Sequence, residues 1–166
     1  MNHKRLDVWN ESMELVKLIY GLTQKLPKEE SYGISSQIKR AAVSIPSNIA
    51  EGSARKSDKE FIYFLNISRG SLAELETQLI IVSEVYNVND SKIAEKIVVV
   101  GKLINGLISY LKNKKNDGTV GENLEEYNVK DIVHQSPITI LITKLRLLMK
   151  VVKLGKEQKS GTFLIL

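Results

Sequence analysis

The chain has 166 residues, 43% apolar and 26% charged, which excludes wholesale disorder and fits one domain or one domain with a tail. It has no cysteine, so disulfide frameworks, thiolate metal sites and cysteine nucleophiles are excluded together. The 24 Lys and Arg against 19 Asp and Glu leave a net charge of +5, which favours an anionic partner only where the excess is localised.

Three prolines and 6% aromatic residues favour long helices over a strand-rich sandwich. The first residues carry charges throughout and lack a signal-peptide apolar stretch, and no apolar run reaches the ~18–20 residues of a membrane span. The expectation is a cytoplasmic protein with no membrane span.

The first predicted helix carries Trp9, Met13, Val16 and Tyr20 at four-three-four spacing, flanked by Val8, Leu15, Ile19 and Leu22. Asp7 reads as its N-cap, and Pro27 lies just past its end. The second runs from about residue 31 to 54, with Ile34, Ile38, Ala41, Ile45, Asn48 and Gly52 on one seam. Pro46 sits inside it and is expected to bend it, or to split it near Val43 and Ser44. The third opens on a capping box, Ser57 with Glu60, followed by Phe61, Leu65, Ser68, Leu72, Leu75, Leu79, Val82 and Tyr86. The fourth carries Ile93, Ile97, Val100, Ile104, Leu107 and Leu111. A heptad-like seam on four consecutive helices with short loops predicts an all-α fold, an antiparallel up-down-up-down four-helix bundle over residues 1–115.

Residues 116–166 form a C-terminal extension of different texture. The stretch 117–136 nets −4 and reads as an acidic linker. From Pro137 onward the net is +5, and Ile138, Leu141, Leu145, Leu148 and Val152 share one face of a basic amphipathic segment. The run from Ile138 to Ile142 reads equally as a short strand.

Several seam positions are small or polar: Ala41, Asn48, Gly52 and Ser68, with Gly70 also on the third helix. Two readings stand. One is close packing of helices two and three, with Asn48 satisfying backbone groups freed by Pro46. The other is a buried polar network shared across a subunit interface.

The stretches Leu6 to Trp9, Tyr32-Gly33, Gln37 to Gly52 with Arg40 and Glu51, Arg55, and Phe64-Leu65 followed by Arg69, Gly70 and Ser71 resemble one family. It is the bacterial four-helix-bundle family encoded in intervening sequences of large-subunit (23S) ribosomal RNA genes. The accessory variability determinant of diversity-generating retroelements is related to it. The resemblance covers roughly residues 4–115. It implies a homopentamer with Arg40, Asn48, Glu51, Gly52, Arg69 and Gly70 as structural or interface residues. By analogy with the retroelement branch, it also implies binding to RNA or DNA, beside a reverse transcriptase. The region after 116 departs from the family pattern, as a true extension or as a frame-shifted tail.

The predicted topology gathers charge at one bundle end. Lys4, Arg5, Arg55, Lys56, Lys59, Lys112, Lys114 and Lys115 there face four acids, a net of +4, while the opposite end nets −2. Such an end attracts a phosphate backbone through counterion release, and a ring of five copies multiplies the effect. Helix-dipole complementarity accounts for the cations at helix C-termini but not for Lys4, Arg5 or Lys59. Trp9 and Tyr63 are the aromatic residues available for base stacking, with Trp9 also placed on the core seam.

Catalysis is not expected. His3 and His134 are the only histidines, and Asp131 with His134 makes only half of a helical carboxylate–histidine metal motif. Glu74 and Glu76 have no partner histidine, and no phosphate loop or nucleophile elbow occurs. Glu51 and Arg55 read as a structural i, i+4 ion pair. The sequence therefore points to a non-enzymatic oligomeric bundle without metal or cofactor that binds nucleic acid through its basic end. The alternative is an adaptor that presents a ring surface to a protein partner.

Overall fold

A computed structural model of the chain describes residues 2–114. These form a 3-10 turn (His3–Arg5), α1 (Asp7–Thr23), a second 3-10 turn (Lys28–Ser31), α2 (Ile34–Ser53), α3 (Asp58–Tyr86) and α4 (Ser91–Asn113). The described residues are helical with no strand, as the periodicity predicts. Lys115, the acidic linker and the basic amphipathic segment lie outside the described residues.

α1 begins one residue earlier than an Asp7 cap implies. Asp7 is the first helical residue, and the cap position belongs to Leu6, whose backbone is extended. The Leu6 carbonyl accepts from the amides of Trp9 and Asn10, and its side chain is buried. A buried leucine thus anchors the helix start, while Asp7 complements the dipole from the first turn. The buried face also differs from the expected seam. Val8, Ser12, Leu15, Ile19 and Leu22 are buried, whereas Trp9, Met13 and Val16 are only partly covered and Tyr20 is 46% exposed. The two lines are one residue apart, a rotation of about 100° on a helix with ~3.6 residues per turn. The branched aliphatics take the interior, and Ser12 is tolerated there because its hydroxyl donates to the Val8 carbonyl at 2.6 Å. Tyr20 instead carries the Lys39 ammonium 5.4 Å from its ring centre.

α2 starts at Ile34, three residues after the expected position, because residues 28–31 wind as a 3-10 turn. Its first turn is capped by a side chain from before the helix: the Ile34 amide donates to Glu30 Oε2 at 3.0 Å. A Cβ on Gly33 would lie 2.4 Å from that same oxygen, so glycine is what lets the carboxylate come in. Pro46 is buried and does not split the helix, which runs unbroken through Ser53.

α3 and α4 follow their sequence signals closely. Ser57 Oγ accepts the Glu60 amide at 3.3 Å and donates to Glu60 Oε2 at 2.7 Å. The buried residues of α3 are Phe61, Leu65, Ser68, Leu72, Leu75, Gln78 and Val82, with Leu79 and Tyr86 partly covered. Asn87 ends the helix in the left-handed region at φ 54°, its amide bonded to the Ser83 carbonyl. Asp90 caps α4 by accepting the Lys92 amide at 3.0 Å. Ile93, Ile97, Val100, Ile104 and Leu111 are buried as expected, and Ile108 is buried where Leu107 was expected.

α1 packs on α2 and α4, and α3 packs on the same two helices, around one hydrophobic core. The α2–α3 pair has the largest interface. Between these helices Ser44 meets Ser71, Ser68 bonds to Ile45 and Gly52 faces Phe61, and Glu30 on the turn before α2 meets Tyr86 near the end of α3, so positions rise along one segment as they fall along the other. A half-buried ion pair between Lys96 and Glu11, 2.5 Å apart, ties α4 to α1.

Candidate functional site

The small and polar seam residues bring α2 against α3 within a single chain. Ser68 Oγ donates across the interface to the Ile45 carbonyl at 3.1 Å, and the Ser44 and Ser71 hydroxyls are 2.8 Å apart. Asn48 Nδ2 donates to the Ser44 carbonyl at 2.8 Å and to Ser44 Oγ at 3.0 Å. It therefore serves Ser44, whereas the carbonyl that Pro46 leaves without its helical donor is that of Ala42, four residues back. Gly52 is a point of close approach. A Cβ there would stand 2.7 Å from both Phe61 Cδ2 and Phe64 Cβ. Gly70 does not share this contact: it is exposed, with no atom within 4 Å of where a Cβ would sit. Arg40, Glu51 and Arg69 are also exposed.

The approach at Gly52 shapes the turn that follows. The amides of Ala54 and Arg55 bond back to the Glu51 and Gly52 carbonyls, closing α2 just before Ser57 caps α3. Arg55 pairs with Glu51 on the preceding turn. Its guanidinium lies 4.8 Å over the ring centre of Phe64, the residue packed on Gly52. Phe64 in turn meets Tyr63 edge to face, at 5.4 Å and 82°. Lys56 and Lys59 are exposed beside this cluster and make no ion pair among the described residues.

The other sequence-predicted cations occupy two further segments. Lys4 and Arg5 are exposed on the first 3-10 turn, which packs against α1 and α2. Lys112 and Lys114 are exposed at the end of α4. The seven of these eight cations that lie among the described residues are thus not equivalent. Arg55 is held by Glu51 and Phe64, while Lys4, Arg5, Lys56, Lys59, Lys112 and Lys114 present exposed charge.

Two features had no sequence signal. Arg55 and Phe64 meet across a turn with no pattern linking them. Glu30 and Tyr86, far apart in the chain, are joined by a 2.7 Å hydrogen bond from the phenol to Glu30 Oε1. That bond, together with the Ile34 amide, lowers the Glu30 carboxyl below its usual range, and the same carboxylate raises the Tyr86 phenol. Glu14 is lowered by its hydrogen bond and ion pair with Lys17. Both carboxylates are engaged in helix capping or a helix-surface pair, which makes them structural groups and not poised acids. Among the described residues no group of three or more His, Asp or Glu could hold a metal ion, and no helix is long and apolar enough to cross a membrane.

Trp9 and Tyr63 differ sharply in placement. Trp9 packs on the core and meets His3 edge to face at 5.1 Å. Tyr63 is 63% exposed.

A family model described as 23S rRNA-intervening sequence protein matches residues 4–106. No curated protein matches the chain.

Proposed function

The chain belongs to the 23S rRNA-intervening sequence protein family, and on that basis we propose that it is a non-catalytic, cytoplasmic, RNA-binding protein. The carrying observation is the pair of exposed cations at the α2–α3 turn, Lys56 and Lys59, which make no ion pair among the described residues. Lys4 and Arg5 extend this charge from the 3-10 turn that packs on α2. Lys112 and Lys114 join it if α4 runs back toward that turn.

The helices are assigned an antiparallel up-down-up-down order. The opposed stepping of the α2–α3 contacts and the four-residue link between α3 and α4 support this. Self-association, a pentamer by the family resemblance, would set several basic turns side by side. Exposed Ile80, Ile81 and Val85 on α3 support burial of that face against another copy. The likeness to the retroelement accessory determinant extends the reading to a role beside a reverse transcriptase. The same aliphatic face favours the second reading, an adaptor that captures a protein partner without nucleic acid.

The test is binding of fluorescently labelled RNA to the full chain across a salt series. Binding should weaken steeply with salt, and the Lys56→Glu, Lys59→Glu double variant should flatten that dependence by removing phosphate contacts worth ~0.7–0.9 each in the logarithmic slope. No binding at low salt refutes the RNA reading and leaves the adaptor.

A further inference from the structure

Tyr63 sits one helical turn after Lys59 on the same exposed side of α3. Side chains on a helix lean toward its N-terminus, so the Tyr63 ring stands over the turn that carries Lys59. Phe64 contacts Tyr63 edge to face, which leaves at least one face of the tyrosine ring open. The ring beneath is itself supported. Phe64 is packed on Gly52 and roofed by Arg55, itself paired with Glu51. Arg55 is therefore a buttress for the aromatic pair, and the exposed cations without an ion pair among the described residues are Lys56 on the turn and Lys59 one helical turn before Tyr63.

We infer that the α2–α3 turn takes single-stranded nucleic acid in preference to duplex, with an unpaired base stacked on Tyr63 and its flanking phosphates held by Lys56 and Lys59. This rests on the nucleic-acid reading above and adds the class of strand to it. The physical reason is a difference in what each strand offers. Lysine ammonium groups attract the phosphates of either form. An aromatic face binds only a base whose own face is free, and in a duplex both faces are covered by neighbouring pairs. A cluster of lysines alone would favour the more densely charged duplex, and the open ring is what turns the preference toward the single strand.

The experiment measures anisotropy of labelled oligouridylate and of a labelled RNA duplex of equal length against the full chain at one low salt concentration. The wild-type chain should prefer the single strand. Tyr63→Ala and Tyr63→Leu should each lose roughly five- to 150-fold on oligouridylate, the range for one stacked base, and leave the duplex affinity unchanged. Tyr63→Phe and Tyr63→Trp should retain the preference. Circular dichroism checks the fold of each variant, and Tyr63 is exposed enough for the substitutions to be carried. Unchanged oligouridylate binding by Tyr63→Ala, or equal loss on both probes, overturns the inference while the nucleic-acid reading stands. Failure of the wild-type chain to bind either probe removes both.

Discussion

Gly52 and Gly70 are both helical glycines, and the structure demands opposite results from the same substitution. At Gly70, inside α3, a Cβ meets nothing within 4 Å, so Gly70→Ala gains helix propensity without a clash. That should stabilise the chain by about 0.5–1 kcal/mol. At Gly52 the new Cβ would lie 2.7 Å from Phe64 Cβ and from Phe61 Cδ2. Carbon atoms rest at ~3.5–4.0 Å, so the neighbours must retreat by roughly 1 Å. Phe61 can rotate its ring, but Phe64 Cβ is fixed to the α3 backbone, so the helices themselves must part. Overpacking of this kind costs about 1–3 kcal/mol. Gly52 is next to the last residue of α2, where the propensity gain is small. The net is a loss of about 1–2 kcal/mol, the overpacking cost less that gain. Urea unfolding of the full chain, followed by circular dichroism, reads both effects as shifts of midpoint at constant slope. Displacement of Phe64 also loosens the support of Arg55 and Tyr63, so Gly52→Ala should weaken oligouridylate binding while Gly70→Ala does not. A Gly52→Ala variant as stable as Gly70→Ala would refute the close approach of α2 and α3. A destabilised Gly70→Ala would refute the open space at that position and place another surface over it.

The Glu30–Tyr86 bond predicts a dependence on pH at both extremes. Glu30 is lowered in the fold, so its contribution is present above the ordinary carboxyl range and is lost as pH falls through the folded value; Tyr86 is raised, so its contribution is present below the ordinary phenol range and is lost as pH rises through the folded value. Tyr86→Phe should reduce the midpoint shift on both limbs of a thermal-unfolding pH profile, and an unchanged profile would count against the bond. Ser57→Ala removes both capping interactions with Glu60 and should destabilise the chain by about 1 kcal/mol, read as a lower urea midpoint.

Much of this molecule is local in origin. The four helices were legible because apolar residues recur at helical spacing, and α3 was the clearest because Ser57 and Glu60 mark its start through contacts within one turn. The exposed lysines were legible as a basic group for the same reason: charge is carried by the residue type itself. What the chain pattern left open were choices between equivalent faces and equivalent residues. The α1 periodicity admits a line through Trp9 and Tyr20 or one through Val8 and Ile19, and only the facing helices select the aliphatic line. Helical spacing does not distinguish Gly52 from Gly70, because the difference is made by Phe61 and Phe64 arriving from another helix. Nor does it rank Trp9 against Tyr63 as a platform, since exposure is set by what packs on each ring. Periodicity and capping act within a turn or two of chain, so the sequence determined the helices and their charge. Burial, close approach and the pairing of Glu30 with Tyr86 are made between segments, so tertiary packing alone decided them.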